Sequence, residues 1–362
     1  MSMLTSTLGR YFARQFVSAI AAVFFTVFLL IFMLDLVELM RRAGETEGAT
    51  AFKLARLAFF RTPATAEQVL PFAILFAALS TFLNLSRKLE LVVARAAGVS
   101  VWQFSLPIVA VAILIGTFAT TVYNPVATSL KDTATRQERE IFTRVIEGAQ
   151  RGYWLNQRSA NGDTILHFLK IDETTFDIFD VTAYQRASDG AFQQRIEAPV
   201  AHFRGDHWLF ESVRIVARSQ QPERQDSYKL PTYLTKEQIR GSVGQSQAVS
   251  FWSLPGIVRM LELAGLDTTR YRLRYQSLLA RPALLTAMVL IAASVSLRFL
   301  RSGGFAGMVL SGVTAGFVLY VATRIVEDLG NAGLVSTVFA AWAAPVIGGM
   351  LGGLALLHRE DG

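Results

Sequence analysis

Gln15-Phe-Val-Ser-Ala-Ile-Ala-Ala-Val-Phe-Phe-Thr-Val-Phe-Leu-Leu-Ile-Phe-Met-Leu34 contains no Asp, Glu, Lys or Arg, and Arg14 and Asp35 bound it. A helix needs about 20 such residues to cross a hydrocarbon layer roughly 30 Å thick. The run is long for the apolar core of a cleaved leader. Its exit, Asp35-Leu-Val-Glu-Leu-Met-Arg-Arg42, also offers no small-x-small cleavage site, so it reads as a retained membrane anchor.

The same search finds five further spans. One lies between Glu67 and Arg87, and one falls within the uncharged run Ala96–Leu130. The others lie around Pro282–Leu297, between Arg301 and Arg324, and within Leu329–Leu357. The fourth is short and has to begin before Arg281, whose long side chain is expected to snorkel to the interface. Composition agrees: 52% of the 362 residues are hydrophobic, 17% are charged and the mean hydropathy is +0.37, too apolar for an ordinary soluble enzyme.

The charges are concentrated. Lys131–Arg274 holds 20 of the 35 Lys and Arg and 18 of the 28 Asp and Glu, so a polar domain is inserted between three spans and three spans. The net +7 divides into +2 for this block and +5 for the flanks, which places the surplus at membrane borders and implies no nucleic-acid binding. With three spans on each side, the inserted domain lies on the membrane face opposite both termini. Lys and Arg in the short loops are too evenly divided to say which face that is.

Within the block, Tyr153–Arg158, Thr164–Ile171, Phe176–Tyr184, Ala198–Phe203 and Trp208–Ala217 are β-rich. Ser188-Asp-Gly190 and Gly205-Asp206 mark turns between some of them. Short strands at this spacing favour a sandwich or jelly roll, with helical connections at Lys131–Gln150 and Leu254–Arg274.

Two short segments carry most of the functional information. In Ser86-Arg-Lys-Leu-Glu-Leu-Val-Val-Ala-Arg-Ala-Ala-Gly98, residues Leu89, Val92, Val93 and Ala96 form one apolar helical stripe. Arg87, Glu90 and Ala94 lie on another face, and Gly98 supplies a left-handed cap. A coupling helix for a partner's cleft and a plain interfacial turn both fit this pattern. The second segment is Arg41-Arg42-Ala43-Gly44, where two guanidinium groups can hold phosphate in a bidentate manner or simply anchor the span. Arg324, Glu327 and Asp328 share a helix surface and read as a solvated helix end.

Several classes of chemistry are excluded. The chain has no Cys, and His167, His202, His207 and His358 lack metal-ligand spacing. No phosphate-cradling G-x-x-x-x-G-K-[ST] loop and no G-x-S-x-G elbow occurs. No cofactor or metal is implied, and the chain does not read as an ATPase or a serine hydrolase. The spans hold almost no ionisable groups, which disfavours a proton-coupled carrier.

Read together with Arg10-Tyr11, Leu39-Met-Arg-Arg-Ala-Gly44, Pro71, Glu90-Leu-Val-Val-Ala-Arg-Ala-Ala-Gly98, Arg270-Tyr-Arg-Leu273 and Gly316-Phe-Val-Leu-Tyr-Val321, the chain resembles the LptF/LptG permeases of lipopolysaccharide export. The likeness covers nearly its whole length and is nearer to the LptG side. It implies an integral membrane α-helical protein with six transmembrane helices, three plus three, and an inserted periplasmic all-β jellyroll domain. The divisions are 1–130, 131–276 and 277–362, with the coupling helix at about 86–98.

The resemblance also implies a bacterial inner-membrane location with cytoplasmic termini, in an ATP-binding-cassette transporter. The expected partners are an LptB-like ATPase dimer, an LptF-like permease, an LptC-like periplasmic jellyroll protein with LptA beyond it, and lipopolysaccharide. By the same likeness, Glu90 is the ATPase contact flanked by Arg87 and Arg95, and Arg41 and Arg42 meet the lipid A phosphates. Asp35 departs from the pattern, standing where some LptG proteins carry Lys. The alternative is a non-transporting membrane scaffold whose β domain recruits partners.

Overall fold

The structure is a computed structural model. It describes residues 7–44, 50–142, 153–159, 162–172, 175–186, 192–217, 222–232, 234, 239, 249–263, 267–299 and 305–360. The turn at 188–190, residues 143–150 of the first connection and Arg301 lie outside them. The chain forms two compact units, Met1–Ile141 with Ala248–Gly362, and Phe142–Gln247.

In the first unit the helices are α1 (Thr7–Ala43), α2 (Ala51–Arg87), α3 (Glu90–Ala96), α4 (Val101–Phe118) and α5 (Asn124–Phe142). After the β unit come α6 (Leu254–Leu263), α7 (Thr269–Phe299), α8 (Phe305–Asn331) and α9 (Thr337–Glu360). Six stretches are long and apolar enough to cross a membrane: Thr7–Ala43, Ala51–Arg87, Val101–Glu138, Thr269–Ser296, Val309–Asn331 and Thr337–His358. The connection expected over Leu254–Arg274 is divided: α6 ends at Leu263, and Thr269–Arg274 belongs to the fourth spanning helix.

Prolines organise the junction of α4, α5 and α7. A proline has no N–H, so the carbonyl four residues before it loses its helical donor, a loss that an apolar membrane does not compensate. Pro125 frees the carbonyl of Thr121, which accepts from the Trp252 indole N–H at 2.9 Å. Pro282 frees that of Leu278, which accepts from the Thr120 hydroxyl at 2.9 Å. Around the first of these sites the helix widens into a π-helical turn, Ala119–Tyr123, with the Asn124 N–H bonded to the Ala119 carbonyl.

The same junction corrects two expectations. Arg281 does not snorkel: its guanidinium is 13% exposed and bonds the Glu67 carboxylate of α2, itself 5% exposed. Glu67 does not end the second span either, because α2 runs through it. Asn124 donates to Glu67 Oε1 at 2.9 Å and accepts the Phe251 backbone N–H at 2.9 Å. One amide side chain thus ties the start of α5 to α2 and to the segment leading into α6. The charge of Glu67 is tolerable in this interior because it is both paired and hydrogen-bonded.

Small residues let these helices approach. A Cβ on Gly116 of α4 would lie 2.6 Å from the Pro282 Cα, a backbone atom with nowhere to go. Phe12, Phe16, Phe82 and Phe104 fill the core shared by α1, α2 and α4. By contrast, α1 has no fully buried side chain between Ile20 and Leu39.

The second unit is an antiparallel sheet in the order β1-β2-β4-β5-β6-β7, with β3 paired to β4. Its strands are β1 (Tyr153–Ser159), β2 (Gly162–Phe168), β3 (Lys170–Ile171), β4 (Ile178–Arg186), β5 (Phe192–Phe203), β6 (His207–Ala217) and β7 (Glu223–Pro231). Leu166, Phe168, Ile178, Ile196, Trp208 and Phe210 form its core. The first and last strands of the path meet: Thr232 Oγ1 donates to Gln157 Oε1 at 2.7 Å, and Gln157 Nε2 donates to the Pro231 carbonyl at 3.3 Å.

β5 begins earlier than the expected Ala198, and the ladder crosses Pro199 with gaps. Asp180 and Ser212, opposite Pro199 on the neighbouring strands, have positive φ, and the ladder is irregular there, as expected around a proline that cannot donate. Gly205, at φ +97°, turns the chain at the Gly205-Asp206 signal. The His207 ring beside Asp206 holds that carboxyl below the usual carboxylate range.

Glu67→Leu or Arg281→Leu alone is expected to destabilise the protein by about 3–5 kcal/mol, with the double variant recovering much of the loss. Thermal unfolding in detergent checks this, and simple additivity of the two single effects would contradict a pair. Gly116→Ala should cost about 1–3 kcal/mol in the same assay. Gly349→Ala, whose new Cβ would meet only an ordinary 3.9 Å contact, should be nearly neutral.

Candidate functional site

Two surfaces of the helical unit collect the residues singled out by the sequence. The first is α3. Helix α2 stops at Arg87, and the Leu89 N–H bonds back to the Ser86 carbonyl at 2.9 Å. Leu89 itself takes φ +58° and starts a new helix, a left-handed geometry that costs a non-glycine residue about 1–2 kcal/mol. The segment 86–98 is therefore two helices with a sharp break, and Arg87 belongs to the first.

Past the break, α3 is closed at its far end as its glycine requires. Gly98 has φ +83°, its N–H bonds the Arg95 carbonyl at 3.0 Å, and the Val99 N–H bonds the Ala94 carbonyl at 3.0 Å, a Schellman pair. The helix is anchored by Leu91 and Ala94, 1% and 7% exposed. The apolar stripe foreseen in the sequence points the other way: Leu89, Val92 and Val93 are 62%, 53% and 65% exposed. Three large aliphatic side chains on a single turn and a half of helix form a surface suited to a partner's pocket.

At the start of α3, Glu90 Oε1 accepts the Tyr11 hydroxyl at 3.1 Å. Its Oε2 is shielded from solvent and has no hydrogen-bond partner among the described residues. Arg87 and Arg95 are exposed on either side. Tyr11 had entered the sequence reading only as part of the Arg10-Tyr11 piece, without a role. The geometry supplies its contact.

The second surface lies at the C-terminal end of α1. Arg41 makes a bidentate pair with Glu38, 2.9 Å for each bond, and both side chains are largely exposed. Arg42 NH1 reaches Glu138 of α5 at 3.1 Å. Arg61 of α2 stands between Asp35 at 3.6 Å and Glu138 at 3.6 Å.

Arg42, Glu138, Arg61 and Asp35 therefore form one chain of ion pairs across α1, α2 and α5, and the Arg41–Glu38 pair stands beside it on α1. Arg61 belongs to no motif of the sequence, since nothing local links it to a position 26 residues earlier. It offsets the Asp35 departure directly. Exposed pairs of the Arg41–Glu38 kind hold by about 1 kcal/mol or less, so a phosphate can take the guanidinium from its carboxylate.

The remaining polar clusters are small. Arg324 pairs with Glu327 at 3.2 Å and lies over the Tyr320 ring, whose hydroxyl it also bonds at 3.1 Å. His202 sits between Asp177 and Glu211 in the β unit. Among the described residues, no three His, Asp or Glu side chains converge as a metal site would.

The sequence profile for the lipopolysaccharide export system permease LptF/LptG matches residues 10–359. The chain is 23% identical to lipopolysaccharide export system permease protein LptG of Escherichia coli K12 over 335 residues, covering 89% of this chain and 90% of that protein. It is also 23% identical to the protein of the same name from Haemophilus influenzae over 362 residues, covering 94% of each. Six helices able to span a membrane, an inserted antiparallel β unit and a match over nearly the whole length agree: the chain belongs to the LptF/LptG family of lipopolysaccharide export system permeases.

Proposed function

We propose that this chain is the LptG-type half of a two-permease assembly that lifts lipopolysaccharide out of the bacterial inner membrane. The energy comes from a separate LptB-like ATPase dimer, and an LptF-like chain supplies the other half. The termini and α3 face the cytoplasm and the β unit faces the periplasm, where an LptC-like jellyroll protein adds strands to an exposed sheet edge and receives the acyl chains. In this reading the polar block of the sequence, 131–276, divides the two transmembrane halves, 1–130 and 277–362.

The observation that carries the reading is the outward apolar face of α3. Leu89, Val92 and Val93 would enter an apolar cleft of the ATPase. Glu90 would add the charged contact, with Arg87 and Arg95 at the rim. The interlocked network at the end of α1 supports the second half of the reading: Arg41 and Arg42, with Arg61 beside them, exchange their carboxylate partners for lipid A phosphates. Because each arginine already has a counter-charge, substrate is held firmly enough to enter and loosely enough to leave.

Glu90→Arg should abolish lipopolysaccharide export and its coupling to ATP hydrolysis while the protein still inserts and folds. Normal export from that variant would sink the docking assignment. The Arg41→Glu, Arg42→Glu double variant should lower photocrosslinking of lipopolysaccharide from neighbouring α1 positions about tenfold, the size of one or two charge-assisted hydrogen bonds. Unchanged crosslinking would leave both residues as anchors only.

A further inference from the structure

Tyr11 lies at the base of a long lever. Two buried phenylalanines, Phe12 and Phe16, fix the first turns of α1 against Phe82 and Phe104. Beyond Ile20 the helix is without a fully buried side chain until Leu39, and it ends at Arg41 and Arg42. The thirty residues from Tyr11 to Arg41 correspond to about 45 Å of helix. The Tyr11 hydroxyl reaches Glu90 Oε1 at 3.1 Å across 79 positions of sequence, while the other oxygen of that carboxylate has no hydrogen bond among the described residues.

From this geometry we infer that Tyr11 is a positioning residue that holds the Glu90 carboxylate and ties α3 to α1, so that a displacement of α3 is delivered to the helix carrying the basic network at its other end. The inference rests on the docking role proposed for α3. The Tyr11 ring is 42% exposed, so its packing contributes little that a phenylalanine would not, and the hydroxyl is the part that differs. Coupling between two sites travels through contacts of this kind, and here the contact joins the base of a lightly packed spanning helix to α3, whose apolar side chains Leu89, Val92 and Val93 are turned outward.

The test is Tyr11→Phe in the full chain, assembled with its ATPase and second permease in proteoliposomes loaded with lipopolysaccharide. Assembly and thermal stability should be retained. Lipopolysaccharide released per ATP hydrolysed should fall roughly fivefold, the scale of one ordinary hydrogen bond lost at a partly exposed site. In a Glu90→Ala background, Tyr11→Phe should then add nothing, because the hydroxyl acts only through that carboxylate.

An unchanged release ratio for Tyr11→Phe, beside an uncoupled Glu90→Arg, would overturn this inference and leave the docking role standing. An additive loss on top of Glu90→Ala would also overturn it, since the tyrosine would then act by another route. If Glu90→Arg itself stayed coupled, the docking role would fall first and the inference with it.

Discussion

Within an apolar membrane every backbone polar group and every charge has to find its partner in the protein, and this constraint is sharpest where α4, α5 and α7 cross. Pro125 and Pro282 each release a carbonyl, and the side chains that take them, Trp252 and Thr120, come from across the junction. Glu67, Arg281 and Asn124 close the remaining valences. The helix pairs meeting there are held by directional bonds that lose their partners if the helices separate, whereas apolar packing alone would let them slide at little cost, since lipid tails are as apolar as leucine.

The rigidity of that junction gives meaning to the looseness elsewhere. α1 has no fully buried side chain from Ala21 to Glu38, and much of α8 is turned outward, with Leu310, Phe317 and Val318 exposed. Exposed apolar helices beside a pinned core are the parts least constrained by contacts within the chain. The charged network on α1, α2 and α5 sits at the end of one of these lightly packed helices, with Arg41, Arg42 and Glu38 reaching solvent and Asp35 Oδ2 shielded from it.

Much of this was legible in the sequence, and the reasons for the exceptions are physical. Uninterrupted apolar runs disclose spans because length and hydropathy are local properties. Glu67 looked like a span boundary because an isolated carboxylate is intolerable in hydrocarbon. Its partner, Arg281, stands 214 positions away, beyond any local pattern. The stripe of Leu89, Val92 and Val93 followed from helical spacing, but spacing alone does not say which stripe is buried. Leu91 and Ala94 take that role because the break at Leu89 turns the short helix relative to α2. Strand β7, Glu223–Pro231, escaped the sequence reading because it is exposed over most of its length and so lacks alternating apolar residues. Arg61 meets Asp35 and Glu138 only because α2 folds back along α1.

The central claim is that this chain is an obligatory half of an energy-driven lipopolysaccharide exporter. The most direct measurement is ATP-dependent release of lipopolysaccharide from proteoliposomes containing the ATPase and the second permease, with and without this chain. The account predicts release only when the chain is present and ATP is hydrolysed. Equal release in its absence, or none in its presence despite sustained ATP hydrolysis by the assembled complex, would contradict it.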